Sequence, residues 1–63
     1  MVNNAEIRSQ LKVGSIIYYR FSNLDGIFVI EQIIKRDGYI SYKLFGINYT
    51  LALGKHTLKL IVQ

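Results

Sequence analysis

Few side chains in this sequence can do chemistry. One histidine and four acids stand among 63 residues, and there is no cysteine. His56 lies between Lys55 and Thr57 in a predicted turn. Alone it cannot complete a metal site, and the adjacent Lys55 opposes a positive imidazolium. The acids are Glu6, Asp25, Glu31 and Asp37. Asp25 and Asp37 each precede a glycine, a pairing that serves turn formation. Acid–base catalysis needs two groups that converge on one substrate, and nothing in the spacing brings two of these carboxylates together. Glu31 interrupts an apolar run. Its expected place is solvent-facing at a bend; the alternative is a partner contact or an ion pair with Arg20 or Lys43. The glycines at 14, 26, 38, 46 and 54 are spread evenly and cradle no phosphate. The expectation is a protein with no catalytic residue, no metal and no cofactor: not an enzyme.

Binding remains. The chain carries eight Lys and Arg against four acids, a net charge of +4, and five tyrosines. Exposed aromatics among cations bind single-stranded nucleic acid by stacking on bases and attracting phosphates. Neighbours along a strand point to opposite faces. If Ile40, Tyr42 and Leu44 face the core, then Tyr39, Ser41 and Lys43 face outward. Lys59 is outward on the last strand, Lys35 flanks a hairpin, and Arg20 ends the first strand. The candidate nucleic-acid-binding residues are therefore Arg20, Lys35, Tyr39, Lys43 and Lys59. The plainer alternative is a solvated face whose lysines blunt edge-to-edge pairing.

A second reading starts from the apolar content. Hydrophobic residues make up 51% of the chain. A domain this small buries only about 60% of its unfolded surface. Apolar side chains left outside gather into patches that meet partners. Ile17, Ile27 and Ile61 are the candidate protein-interface residues. On this reading the chain is a protein-interaction module, such as an accessory or inhibitor protein of a phage or other mobile element, alone or as a homo-oligomer.

The elements that must position these residues follow from local signals. Asn3-Asn4 before Ala5-Glu6 looks like a helix start, since Asn accepts from free N–H groups and Glu6 suits the dipole there. Ile7 and Leu11 share one face. The predicted helix runs over 4–12, with Gly14 as a left-handed stop. A helix this short does not persist alone. From Ser15 to Phe21 the residues are β-branched and aromatic, which suits a strand. Asp25-Gly26 closes a predicted loop over 22–26. Residues 27–36 form the second strand. Asp37-Gly38 is the strongest turn signal, a tight two-residue hairpin connection. Strands over 39–45, 47–53 and 58–62 follow, separated at Gly46 and at 54–56. On the fourth, Ile47, Tyr49, Leu51 and Leu53 point inward. On the fifth, Leu58, Leu60 and Val62 alternate with Lys59 and Ile61.

The second strand is apolar on both parities. One explanation is a bulge near Glu31-Gln32, which swaps the inward parity: Phe28 and Ile30 before it, Ile33 after it. The other is that both faces are covered, one of them by the helix or a second subunit.

Leu11-Lys12-Val13-Gly14-Ser15-Ile16-Ile17-Tyr18-Tyr19 resembles the opening of small barrels of the Src-homology-3 (SH3-like) and Tudor type. Ser15 stands where Asp is common in them. His56-Thr57-Leu58-Lys59-Leu60-Ile61 is similar to their short closing strand. The resemblance covers the layout of residues 11–62. It implies a mainly β fold: one domain over 1–63, with a five-stranded antiparallel SH3-like barrel or strongly curved sheet over 15–62 and one short N-terminal helix. Such folds bind peptides, RNA, DNA and ribosomal partners, so the layout leaves function to the site. The lack of cysteine, the polar start MVNNAEIRSQ and the lack of any long apolar run point to a cytoplasmic protein with no membrane partner.

Overall fold

The computed structural model describes residues 4–54 and 56–63. The chain forms α1 (Asn4–Ser9), β1 (Ile16–Phe21), β2 (Leu24–Arg36), β3 (Tyr39–Leu44), β4 (Thr50–Leu51) and β5 (Thr57–Val62). The strands make one antiparallel sheet in the order β4-β3-β2-β1-β5. No ladder joins β4 to β5 among the described residues, so the sheet is open and not closed into a barrel.

β2 explains the shape. At about 3.3 Å per residue, a straight strand of this length would reach ~43 Å. The molecule measures only 28 Å in its longest dimension. The strand bends instead. Leu24 to Val29 pair with β1, and Ile30 to Arg36 pair with β3. Between Ile30 and Gln32 the register shifts, which leaves Glu31 as the extra residue of a bulge. The inward parity swaps there as expected. Ile30 is 1% exposed, Phe28 packs on the core before the bend and Ile33 after it.

The core lies in the hollow of the bent sheet. Ile17 and Tyr19 of β1, Tyr42 and Leu44 of β3, and Leu58 of β5 meet Ile30 and Leu53 there. Ile7 of α1 closes it, with Leu11 packed alongside. Ser15 is fully buried, and its hydroxyl accepts from the Lys12 N–H at 3.0 Å. Its own carbonyl accepts from the Ile30 N–H at 2.9 Å, tying the entry of β1 to the bend of β2.

Several local expectations are corrected. The helix ends at Ser9, not residue 12. Gln10 and Leu11 donate to the carbonyls of Ile7 and Arg8, three residues back, which tightens the last turn. Gly14 does adopt a positive φ of 95°, in the turn before β1. Asn3 lies outside the described residues. Asp25-Gly26 is strand and not turn, because Phe21 already pairs with Leu24 across Ser22-Asn23. Ser22 carries the positive φ there, 57°, as the first residue of a II′ hairpin does. The Asp37-Gly38 connection is as expected, with Arg36 opposite Tyr39. The fourth strand shrinks to two residues, and Tyr49, ahead of it, is 50% exposed instead of inward. Ile40 is also largely exposed, since its level on the hairpin lies beyond the core. A register shift at Ile61 turns Val62 outward, against the simple alternation read for β5.

Candidate nucleic-acid interface

The proposed cationic face does not assemble as one surface. Arg20 and Lys59 lie on the outer face of β1 and β5, where Lys59 is opposite Tyr18. Asp25 stands across from Arg20. Tyr39 and Lys43 lie on the outer face of β3. The ammonium of Lys43 is 3.1 Å from Glu31 and also donates to the Leu44 carbonyl at 3.3 Å. That ion pair spans the bulge, so Lys43 serves the bend before any ligand. Lys35 is opposite Ile40, on the same side of the hairpin as Ile33 and Tyr42. It therefore faces the helix side, away from Lys43.

A different set of cations does converge. Docking of α1 over the hollow leaves an open cleft between the helix and the β2–β3 hairpin, in two adjoining depressions of about 510 and 420 Å³. Arg8 and Lys12 line it from the helical segment, and Lys35 and Arg36 from the hairpin. Half of the eight cations in the sequence thus border one cleft. No acid lines it among the described residues; Glu6 and Asp37 are the nearest in sequence. Tyr39, 57% exposed, and Arg36, opposite it in the register, border the first depression at the hairpin tip, both from the outer parity of the hairpin. The buried Tyr42 forms the floor, its hydroxyl 3.5 Å from the Arg8 carbonyl. Burial pushes the Tyr42 hydroxyl above its ordinary 10.0, and the nearby Arg8 partly offsets this. The phenol stays neutral and leaves the cleft's positive charge intact.

The other end of the sheet has the opposite character. Ile17, expected in an exposed patch, is fully buried and belongs to the core. Its neighbour Ile16 takes the outward parity and pairs with Val29 and Val62. Ile27 and Ile61 are exposed as expected, at 66% and 48%. Tyr18 lies on this face and donates to an Asp25 carboxylate oxygen at 2.6 Å. That hydrogen bond, which only the neutral phenol can donate, raises the Tyr18 pKa, and burial adds to the effect.

His56 sits at a turn with φ of 72°, its ring stacked on Phe21 at 4.2 Å between centroids. Leu53, three residues earlier, has φ of 57°. Positive φ at such residues is strained unless the surroundings impose it. The Asn4 amide donates to the carbonyls of both residues, at 3.5 and 3.2 Å, and so ties the turn to α1. Among the described residues, no three His, Cys, Asp or Glu side chains are grouped to hold a metal ion. No helix among them is long and apolar enough to cross a membrane. The chain matches no protein-family model, and no curated protein or solved structure is significantly similar to it.

Proposed function

We propose that this chain is a non-enzymatic, cytoplasmic module that binds single-stranded nucleic acid in the cleft between α1 and the β2–β3 hairpin. One observation carries the reading: Arg8, Lys12 and Lys35 line a cleft that Arg36 and the exposed Tyr39 border at the hairpin tip, and no acid lines it among the described residues. Each cation can neutralise one phosphate, and the phenol offers a face on which a base stacks. The scaffold is read as an SH3-like barrel left incompletely closed, with β2 shared between its two halves.

The test is fluorescence anisotropy with labelled single-stranded RNA, single-stranded DNA and duplex DNA at two salt concentrations. Four phosphate contacts on a single strand give a log–log salt slope of about −2.8, so affinity falls roughly 50-fold between ~50 and ~200 mM salt. Replacing Arg36 with glutamine flattens that slope by about 0.7. Lys59→Gln, outside the cleft, leaves it unchanged. Absence of binding at the lower salt sinks the proposal for this chain acting alone.

A further inference from the structure

A second pocket lies beyond the cationic cleft, where the chain crosses from β4 to β5. Its volume is about 340 Å³. Tyr19 and Phe21 of β1 form one wall, and Leu51, Leu53 and His56 form the other. The size and the mostly apolar lining suit a small ring-shaped ligand, which needs few polar groups to fix its orientation.

One polar group there is spare. Tyr19 is 2% exposed, yet its hydroxyl has no hydrogen-bond partner among the described residues. A hydroxyl withdrawn from water without a partner is costly. It is not sealed from the surface, and this pocket is the depression that Tyr19 lines. Burial raises its pKa above 10.0, so it stays neutral and can donate as well as accept. Strain marks the same place. Leu53 and His56 both have positive φ, and the Asn4 amide holds both carbonyls. Strain imposed by its surroundings clusters at ligand clamps. The His56 and Phe21 rings are tilted only 26° from parallel, a stack that a third planar ring can join.

We infer that this pocket holds one unstacked base of the single strand bound in the cleft, an inference that rests on the function proposed above. Arg8 is the link. A Cβ on Gly54 would lie 3.6 Å from the Arg8 Nη1, and Gly54 lines the pocket. Arg8 also lines both depressions of the cleft. Leu51 of the pocket pairs with Tyr42 of the cleft floor. A phosphate at Arg8 is therefore a single nucleotide's reach from the pocket. A base meets both demands of the site: a planar ring for the Phe21–His56 stack, and edge N–H and C=O groups for the Tyr19 hydroxyl. An aliphatic chain would leave that hydroxyl unpaired.

Aromatic side-chain NMR of the whole chain, titrated at low salt with a single strand of about eight nucleotides, tests this. The ring resonances of Tyr19, Phe21 and His56 are expected to shift on binding. Replacing each nucleotide in turn by an abasic one should find a position that costs roughly tenfold in affinity. Tyr19→Phe should weaken binding about fivefold. Its thermal stability should stay at or above wild type, because the lost hydroxyl had no partner. His56→Gly keeps the positive φ accessible and removes one ring of the stack, so the penalty at that abasic position should disappear. A strand that binds with the expected salt slope and leaves the three rings unmoved overturns the inference and spares the cleft. Ring shifts given by N-acetylphenylalaninamide but by no strand overturn it too, and make the pocket a site for an aromatic side chain of a protein. If no strand binds at all, the cleft reading falls and this inference with it.

Discussion

The two ends of one bent sheet face the solvent in opposite ways. Where β2 pairs with β1, the outer face shows Ile27 and Val29 beside Ile16. Where β2 pairs with β3, the side toward α1 gathers Lys35 with Arg8 and Lys12, and Arg36 borders it at the hairpin tip. The same strand supplies both surfaces. The bulge at Glu31 lets it do so, because it swaps the inward parity while keeping Ile30 and Ile33 on the core. A strand apolar on both parities is thus two half-strands, each with its own wet side. The contrast teaches that composition averaged over such an element hides its division of labour.

The most damaging way to break the contrast is at the bend itself. Ile30→Ala empties a fully enclosed position shared by both halves and should cost about 2–5 kcal/mol, read from urea unfolding. In a chain this small, that loss should remove both surfaces together. Ser15→Ala acts at the same junction by another route. It leaves the Lys12 N–H without its acceptor and should cost roughly 1–3 kcal/mol in the same measurement. If Ser15→Ala is neutral, the hydroxyl's hydrogen bond from the Lys12 N–H is not what fixes the entry to β1.

The contrast is sharpened by variants that should separate the surfaces. Lys35→Glu with Arg36→Glu should lower single-strand affinity at least tenfold at low salt, an effect of about 1.4 kcal/mol or more. It should leave the circular dichroism spectrum unchanged. Val29→Lys, on the outer face at the other end of the sheet, should leave the affinity unchanged. A Val29→Lys chain with a native circular dichroism spectrum and a lowered affinity would show that the two ends are coupled.

Smaller effects come from the tyrosines and the surface ion pair. Burial raises the pKa of Tyr19 and Tyr42 in the fold above 10.0. The folded state therefore holds these protons more tightly than the unfolded chain. Their contribution is fully present below pH 10.0 and is lost as pH rises through the folded values. Thermal unfolding should show stability falling above that pH, and Tyr19→Phe should shrink the fall. Lys43→Ala removes the pair with Glu31. Both side chains are partly exposed, so the cost should stay below about 1 kcal/mol.

Much of this protein is decided by neighbours in the chain. The helix-then-five-strands order, the Asp37-Gly38 hairpin and the bend at Glu31 all rest on parity, turn chemistry and length. Ile7, Leu11, Tyr42 and Leu53 were assignable to the core for the same reason. The grouping of cations was not decided that way. Arg8 and Lys12 meet Lys35 and Arg36 only because α1 docks over the hollow, bringing together residues more than twenty positions apart. The four-residue spacing of the first pair and the adjacency of the second were visible as signals, but not their convergence. The outward turn of Val62 likewise depends on one extra residue in the β5 register, which has no local signature. Ile17 and Ile16 are alike as residues, and the sheet's choice of inner face alone buries one and exposes the other. The chain alone thus determined its elements and their inward rhythm, because these depend on propensity and alternation over a few residues. Tertiary packing decided which side chains share a surface, because that depends on which face each strand turns to the common core.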